Sequence, residues 1–355
     1  MHEMPFCTET IYNFADRRIM IMRKTLSLIV AFCLIFTLML TGCGEDTASD
    51  PSTQTEQVTI AGIKGPTSIG MIQLIDKKAL DGETFDDTSY TVDYMVAESA
   101  DILTGKLIND EIQIAALPTN VASVLFNKTD GNIVVLAEQT LGILYLVGRD
   151  DISSIDGLEG KTIAISGSGN VPQYAADYIL EQNGLTGKVN LEYYTDHASA
   201  SQVLLAGDAD LAILPQPFVT QVIRKDSNVK ILLDLTKEWE KASKGESTLS
   251  MGCLISTRTF AENHPEFVSE LLSRYKQSVA FVNESPAEAA RLVADNNIIE
   301  DAQVTEQAIP YCNIVFKSAQ EAKEEISQFL NVLYKFEPSS IGGALPDDSF
   351  YYTEP

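Results

Sequence analysis

The groups with the most chemistry to offer in this chain are main-chain amides at helix starts. Ala115-Ala116-Leu117-Pro118 runs into Thr119-Asn120, and Ala212-Ile213-Leu214-Pro215 runs into Gln216-Pro217. Both are apolar strand-like runs that stop at proline and open into helix-like ones. A helix start has unpaired N–H groups that can hold a polar ligand group. Earlier in each half a glycine-rich loop makes the same transition, as Gly62-Ile63-Lys64-Gly65-Pro66-Thr67-Ser68 and as Ser166-Gly167-Ser168-Gly169-Asn170. Glycine lets the backbone approach a ligand closely, and Thr67 or Ser68 can cap a helix while offering a hydroxyl. Two halves with the same loops in the same order point to two similar lobes facing one site. Proline also ends strands in any α/β protein, so the pattern needs the rest of the chain to give it meaning.

Side-chain catalysis finds little support. His197 follows Asp196 at a helix start and His264 precedes Pro265, so both read as surface or capping residues and not as a base or a metal pair. Cys-x-x-Cys, His-Glu-x-x-His and Gly-x-Ser-x-Gly are absent from the sequence. Gly160-Lys161-Thr162 looks like the end of a phosphate-binding loop, but Ile155 stands where its first glycine belongs and the segment enters a strand. Pro172 takes the place of the third glycine that a dinucleotide fingerprint would need after Gly167 and Gly169. No catalytic residue, metal or cofactor is expected.

The elements that must position these loops follow from periodicity. Strand-like and helix-like runs alternate almost without interruption, the signature of α/β architecture with largely parallel sheets. The first half reads as a strand at 58–62, a helix at 68–78, a strand at 90–96, a helix at 99–107, a strand at 112–116 and a helix at 120–126. The pattern restarts at Gly160 with a strand ending at Ile165, then a helix at 172–181, a strand at 189–193 and a helix at 198–205. Helices dominate after Ser256. The apolar runs Leu141 to Val147 and Met251 to Ser256 are expected to be two antiparallel connectors between lobes, forming a hinge.

At the amino end, Arg23 and Lys24 precede an uncharged apolar run from Leu26 to Met39, too short to span a membrane comfortably. It reads as a secretory signal. Leu40-Thr41-Gly42-Cys43 is similar to a bacterial lipobox, with Cys43 as the thiol that takes the lipid. Residues 1–21 are set aside as a doubtful upstream extension, 22–42 as signal peptide and 43–57 as a disordered tether with no aliphatic anchor. Lobe 1 is expected at 58–145 and 254–355, and lobe 2 at 146–253. The chain would then sit outside the cell, lipid-anchored to the outer face of the membrane.

The 355-residue chain has a formal charge of −25. Removing Arg17, Arg18, Arg23 and Lys24 with Glu3, Glu9 and Asp16 leaves 21 basic and 47 acidic side chains, a balance of −26. That argues against nucleic acid or a polybasic membrane contact, and reads as a solvated acidic surface. Only Cys253 and Cys312 remain after the anchor; one disulfide or two buried thiols both fit.

In order along the chain, Lys64-Gly65-Pro66-Thr67, Leu117-Pro118-Thr119-Asn120-Val121-Ala122, Leu141-Gly142-Ile143-Leu144-Tyr145, Gly160-Lys161-Thr162, Leu214-Pro215-Gln216-Pro217-Phe218-Val219 and Ile341-Gly342-Gly343 with Leu345-Pro346-Asp347-Asp348 resemble one family. It is the solute-binding proteins of ABC importers in the sulfonate, nitrate, taurine and thiamine-precursor group, and the resemblance runs from Val58 to Tyr352. It implies a type II periplasmic-binding fold, with two mainly parallel sheets flanked by helices and joined by two hinge strands, closing on a ligand and docking to a permease as a monomer. It further implies ligand contacts from Gly65, Pro66, Thr67 and Ser68, from Pro118, Thr119 and Asn120, from Ser166, Gly167, Ser168, Gly169 and Asn170, and from Gln216 and Pro217. Thr140, Leu141, Tyr174 and Trp239 complete the expected set. Fungal pyrimidine synthases, enzymatic relatives of this group, carry a cysteine-rich signature not found here, which counts against an enzyme; a periplasmic-binding-fold enzyme and a ligand sensor for a membrane receptor are the two rival readings.

Four helix starts together are worth about 4 kcal/mol to a polar ligand. Micromolar affinity needs about 8 kcal/mol, so side-chain hydrogen bonds and apolar packing must supply the difference. Tyr145, Tyr174, Phe218 and Trp239 are the aromatic candidates, of which Phe218 reads as core filling. No arginine lies in the four loops, so the expected ligand is a neutral heteroaromatic such as a pyrimidine, or a weakly hydrated anion such as a sulfonate or nitrate.

Overall fold

The computed structural model describes residues 54–194 and 196–354. The expected upstream extension, signal peptide, Cys43 and most of the tether lie outside the described residues. β1 (Gln54–Ile63) begins four residues before the expected strand start at Val58, pairing Gln54 with Thr88. α1 (Pro66–Gly70) and α2 (Ile72–Lys77) follow, then β2 (Thr84–Phe85), β3 (Thr88–Ala97), α3 (Ala100–Ile108), β4 (Ile114–Leu117), α4 (Thr119–Lys128) and β5 (Ile133–Leu141). The next group is β6 (Leu144–Gly148), β7 (Thr162–Ser166), α5 (Val171–Gln182), β8 (Asn190–Tyr194), α6 (His197–Ala206), β9 (Leu211–Pro215), α7 (Phe218–Lys225), β10 (Lys230–Asp234) and α8 (Leu235–Ala242). The chain then returns through β11 (Ser250–Thr257), α9 (Arg258–Asn263), α10 (Pro265–Glu284), α11 (Pro286–Asp295), α12 (Ala302–Ala308), β12 (Ile314–Ser318) and α13 (Ala319–Phe336).

Two sheets result, in the orders β12-β5-β11-β4-β1-β3-β2 and β10-β6-β9-β7-β8. Each has a parallel block, β4-β1-β3 in one and β9-β7-β8 in the other. The remaining pairings are antiparallel, so the sheets are mixed where mainly parallel ones were expected. Topology supplies the reason. β5 leaves the first sheet at the ends of its parallel strands, so β6 enters the second sheet from that edge and must run the opposite way, as must β11 on its return.

Of the two apolar runs expected to be interlobe connectors, Leu141 to Val147 does pass from one sheet to the other, ending in β6 paired with β9 and β10, whereas Met251 to Ser256 lies wholly within β11, paired with β4 and β5. The chain crosses between the sheets at Gly142-Ile143 and in the segment between α8 and β11. At Gly142 a Cβ would come within 2.0 Å of Thr236 Oγ1, so the first crossing tolerates glycine alone. Asn313 donates to the Gly142 carbonyl and fixes the crossing from the other side.

Helix boundaries follow the local chemistry. Ser318 and Glu321 form a reciprocal capping box at the start of α13. Pro265 and Pro286 open α10 and α11, where the missing N–H costs nothing. The β4 residues Ile114 to Leu117 are all buried, as a central strand covered on both faces requires. One apolar core runs through both lobes, joined where Trp239 of α8 meets Phe329 of α13 with ring centroids 5.5 Å apart. Cys253 and Cys312 are both buried and free, which decides between the two readings of that pair.

Candidate functional site

Six loops, each following the carboxyl end of a strand in a parallel block, converge on one cleft of about 530 Å³. From the first sheet come Lys64-Gly65-Pro66 after β1, Glu98-Ser99-Ala100 after β3, and Pro118 after β4. From the second come Gly167 with Asn170-Val171-Pro172 after β7, Asp196-His197-Ala198 after β8, and Gln216 after β9. Ile143 from the first crossing, and Met251 near the start of β11, close the back. Strands in a parallel block all present carboxyl ends, and the following helix starts, to the same edge; two such edges face to face make the cleft.

Of the residues expected to touch ligand, Gly65, Pro66, Pro118, Gly167, Asn170 and Gln216 line this cleft. Gly65 has φ of +124°, a conformation reserved for glycine, and nothing crowds the space where a Cβ would point. Several of the others are turned inward. Thr67 and Ser68 hydroxyls both donate to the Ile63 carbonyl, at 2.9 and 2.8 Å, and so tie α1 to the end of β1. Thr119 is fully buried with its hydroxyl 2.9 Å from that of Ser250. Asn120, also buried, donates from Nδ2 to the carbonyls of Gly169 and Ser340, each at 3.1 Å, and so links the two lobes. Ser168 donates to Gln173 Oε1, which also accepts from the Gly169 N–H.

Trp239 corrects the expectation most sharply. It is 0 % exposed, donates from Nε1 to Ser247 Oγ at 3.1 Å, and packs on Tyr178 and Phe329. Its expected place in the cleft goes instead to Phe218, which had read as core filling. Tyr174, Thr140, Leu141 and Pro217 lie outside the cleft lining; Tyr174 packs against the apolar core, and Thr140 and Leu141 end β5.

His197 is a cleft-lining residue that sequence reasoning passed over. Asp196 is the N-cap of α6, accepting from the Ser199 N–H, and this turn sets the His197 ring against the cleft wall. There Nδ1 is hydrogen-bonded to the buried Ser166 hydroxyl, and the ring lies 5.2 Å from that of Phe218. Burial pushes the imidazole down to about 4, with Asp196 opposing, so the ring is neutral at physiological pH. The loops after β3 and β8 lack the proline or multiple glycines that flagged the other four. The signal that finds them is positional: each half has three parallel strands, and two of the three following loops were already in view.

Beneath the cleft floor lies a buried polar chain. Ser250 donates to Glu138 Oε1 at 2.7 Å and is bonded in turn to Thr119. Glu138 Oε2 sits 3.8 Å from Lys317 Nζ, and Lys317 also pairs with Glu325. Burial pushes the Glu138 carboxyl up to about 7, opposed by the Ser250 hydrogen bond and Lys317.

The family model described as NMT1/THI5 like matches residues 132–289. No curated protein matches. Among solved structures, an ABC transporter from Parabacteroides distasonis is 24% identical with a TM-score of 0.70, the match covering 86% of this chain and 100% of that one. The periplasmic aliphatic sulphonate binding protein SsuA from Escherichia coli is 16% identical with a TM-score of 0.66, covering 84% of this chain and 93% of that one. The alkanesulfonate-binding protein SsuA from Xanthomonas axonopodis pv. citri, bound to MOPS, is 16% identical with a TM-score of 0.61, covering 83% and 96%. Residues 132–289 thus carry an NMT1/THI5-like domain, and the chain has the two-lobed periplasmic-binding-protein fold expected from the resemblance.

Proposed function

We propose that this chain is the extracytoplasmic solute-binding component of an ABC importer, held to the outer face of the membrane by lipid on Cys43. It captures one small molecule between its lobes and delivers it to a permease. The observation that carries this reading is the convergence of six strand-end loops, three from each sheet, on a single cleft. A volume of about 530 Å³ suits a small organic solute. The named ABC-transporter and sulfonate-binding neighbours share that architecture across more than four-fifths of this chain. Among the described residues no helix is long and apolar enough to cross a membrane, which is compatible with a tethered domain. Native mass spectrometry of the purified protein tests the reading: one small molecule bound per chain is expected, and thermal shift with the released molecule should raise the melting temperature. A chain that binds no solute, and whose deletion leaves uptake unchanged, would overturn it.

The Ser166–His197 pair favours a second reading, a cleft hydrolase, since a hydroxyl beside a neutral imidazole is the start of a nucleophilic constellation. Ser166 is only 1 % exposed, however, so its hydroxyl lies behind the ring where no substrate carbonyl reaches it. Fluorophosphonate labelling should leave Ser166 unmodified; covalent capture there would revive the hydrolase.

A further inference from the structure

The charges and donors on the cleft wall define a class of ligand, on the reading that the cleft is the solute site. The charged side chains lining it are one ammonium, Lys64, and two carboxylates, Glu98 and Asp196. Lys64 is already paired with Glu98 at 2.6 Å. The positive ends of two of the six helices at the cleft, α6 and α7, are also occupied by side chains of the protein itself. Asp196 takes the Ser199 N–H of α6 at 2.7 Å and the Ser199 hydroxyl at 3.0 Å. Gln216 Oε1 takes the Thr220 N–H of α7 at 3.2 Å and the Thr220 hydroxyl at 2.8 Å. Gln173 Oε1 takes the Gly169 N–H at the approach to α5. An arriving oxyanion would meet a wall of net charge −1 whose one ammonium is already paired, and no arginine fork lies within it.

The remaining wall suits a different guest. Pro66, Pro118, Pro172 and Pro215 offer flat apolar faces, and Phe218 an aromatic one. His197, neutral and fixed through Nδ1 by Ser166, has its second ring nitrogen left to meet a polar edge. We propose that this cleft takes an uncharged solute with a polar edge and turns oxyanions away, the carboxylates of Glu98 and Asp196 providing the exclusion. In this respect it departs from the sulfonate-binding neighbours whose fold it shares.

The test inverts the wall charge and uses ethanesulfonate as the probe, titrated calorimetrically into the full chain in detergent. Asp196→Asn retains an N-capping side chain, and Glu98→Gln alters a largely exposed residue while releasing Lys64. The double variant should bind ethanesulfonate roughly tenfold or more tighter than the wild type, an expectation resting on the attraction between unlike charges. The single Glu98→Gln variant should fall between them, and it serves alone if the double variant does not fold. Micromolar binding of ethanesulfonate by the wild type, or no gain in either variant, overturns the proposal. Failure of the importer reading would appear separately, as unchanged solute uptake after deletion, and would leave this titration intact.

Discussion

His197 adjoins a carboxylate and yet stays unprotonated, because the cost of a charge in its enclosure exceeds the help Asp196 gives. Its ring protons should therefore show no inflection by NMR between pH 8 and 5, with a midpoint near pH 4; a midpoint near 6.5 would mean the ring faces open water. Linkage fixes the sign for stability. The unfolded chain binds the proton near 6.5 and the folded chain only near 4, so this residue's contribution is full above pH 6.5 and is lost as pH falls through that window. Gly65 makes a backbone prediction at the same scale. Its φ of +124° strains any side chain, so Gly65→Ala should cost ~1–3 kcal/mol in urea unfolding even though the Cβ meets nothing. Neither residue was equally legible: Gly65 announces itself in Lys-Gly-Pro-Thr, whereas His197 beside Asp196 looks like any helix cap until Ser166 and Phe218 are brought to it.

Between elements, the Glu138–Ser250 bond clamps β5 to β11, the strands on either side of the interlobe crossings, and Thr119 extends the clamp to the start of α4. Glu138 is 0 % exposed, and its pKa is raised from 4.5 to about 7. The folded chain therefore holds this proton more tightly than the unfolded one, and the contribution is full below pH 4.5 and lost as pH rises through 7. This slope opposes that of His197. Glu138→Gln should remove up to about 3 kcal/mol of the decline between pH 4.5 and 8 and leave the rising His197 slope exposed, measured by urea unfolding across that range. An unchanged pH profile would mean that Glu138 is solvated. Nothing in the sequence marked this network, because its members lie on β5, β11, β12, α13 and the start of α4 and meet only when the chain folds.

Across the whole molecule, two of the contacts between the lobes differ in kind: Asn120 to the Gly169 carbonyl at the cleft, and Trp239 to Phe329 in the shared core. The first is a single hydrogen bond and the second a packed aromatic contact, so they should respond differently to opening. Asn120→Ala should shift the population toward a more open form, seen as a larger radius of gyration by X-ray scattering, at a stability cost of about 1–2 kcal/mol. Trp239 is the chain's one tryptophan, so its emission is a clean reporter. It should be blue-shifted and shielded from acrylamide with or without solute; quenching that solute relieves would return Trp239 to the cleft.

The sequence by itself determined the α/β alternation, the doubling of the chain into two like halves and four of the six loops that meet at the cleft. These are local properties: hydrophobic period fixes element type, and glycine and proline fix where strands turn into helices. The tertiary structure alone decided which side chains those turns present. Thr67, Ser68 and Thr119 satisfy buried backbone and side-chain partners, Trp239 fills the core, and Glu98, Asp196, His197 and Phe218 line the cleft. The direction of β6 and β11 belongs to the same category. A strand's sense, like a side chain's partner, depends on which distant segment it meets on arrival, and residue spacing along one chain does not encode that.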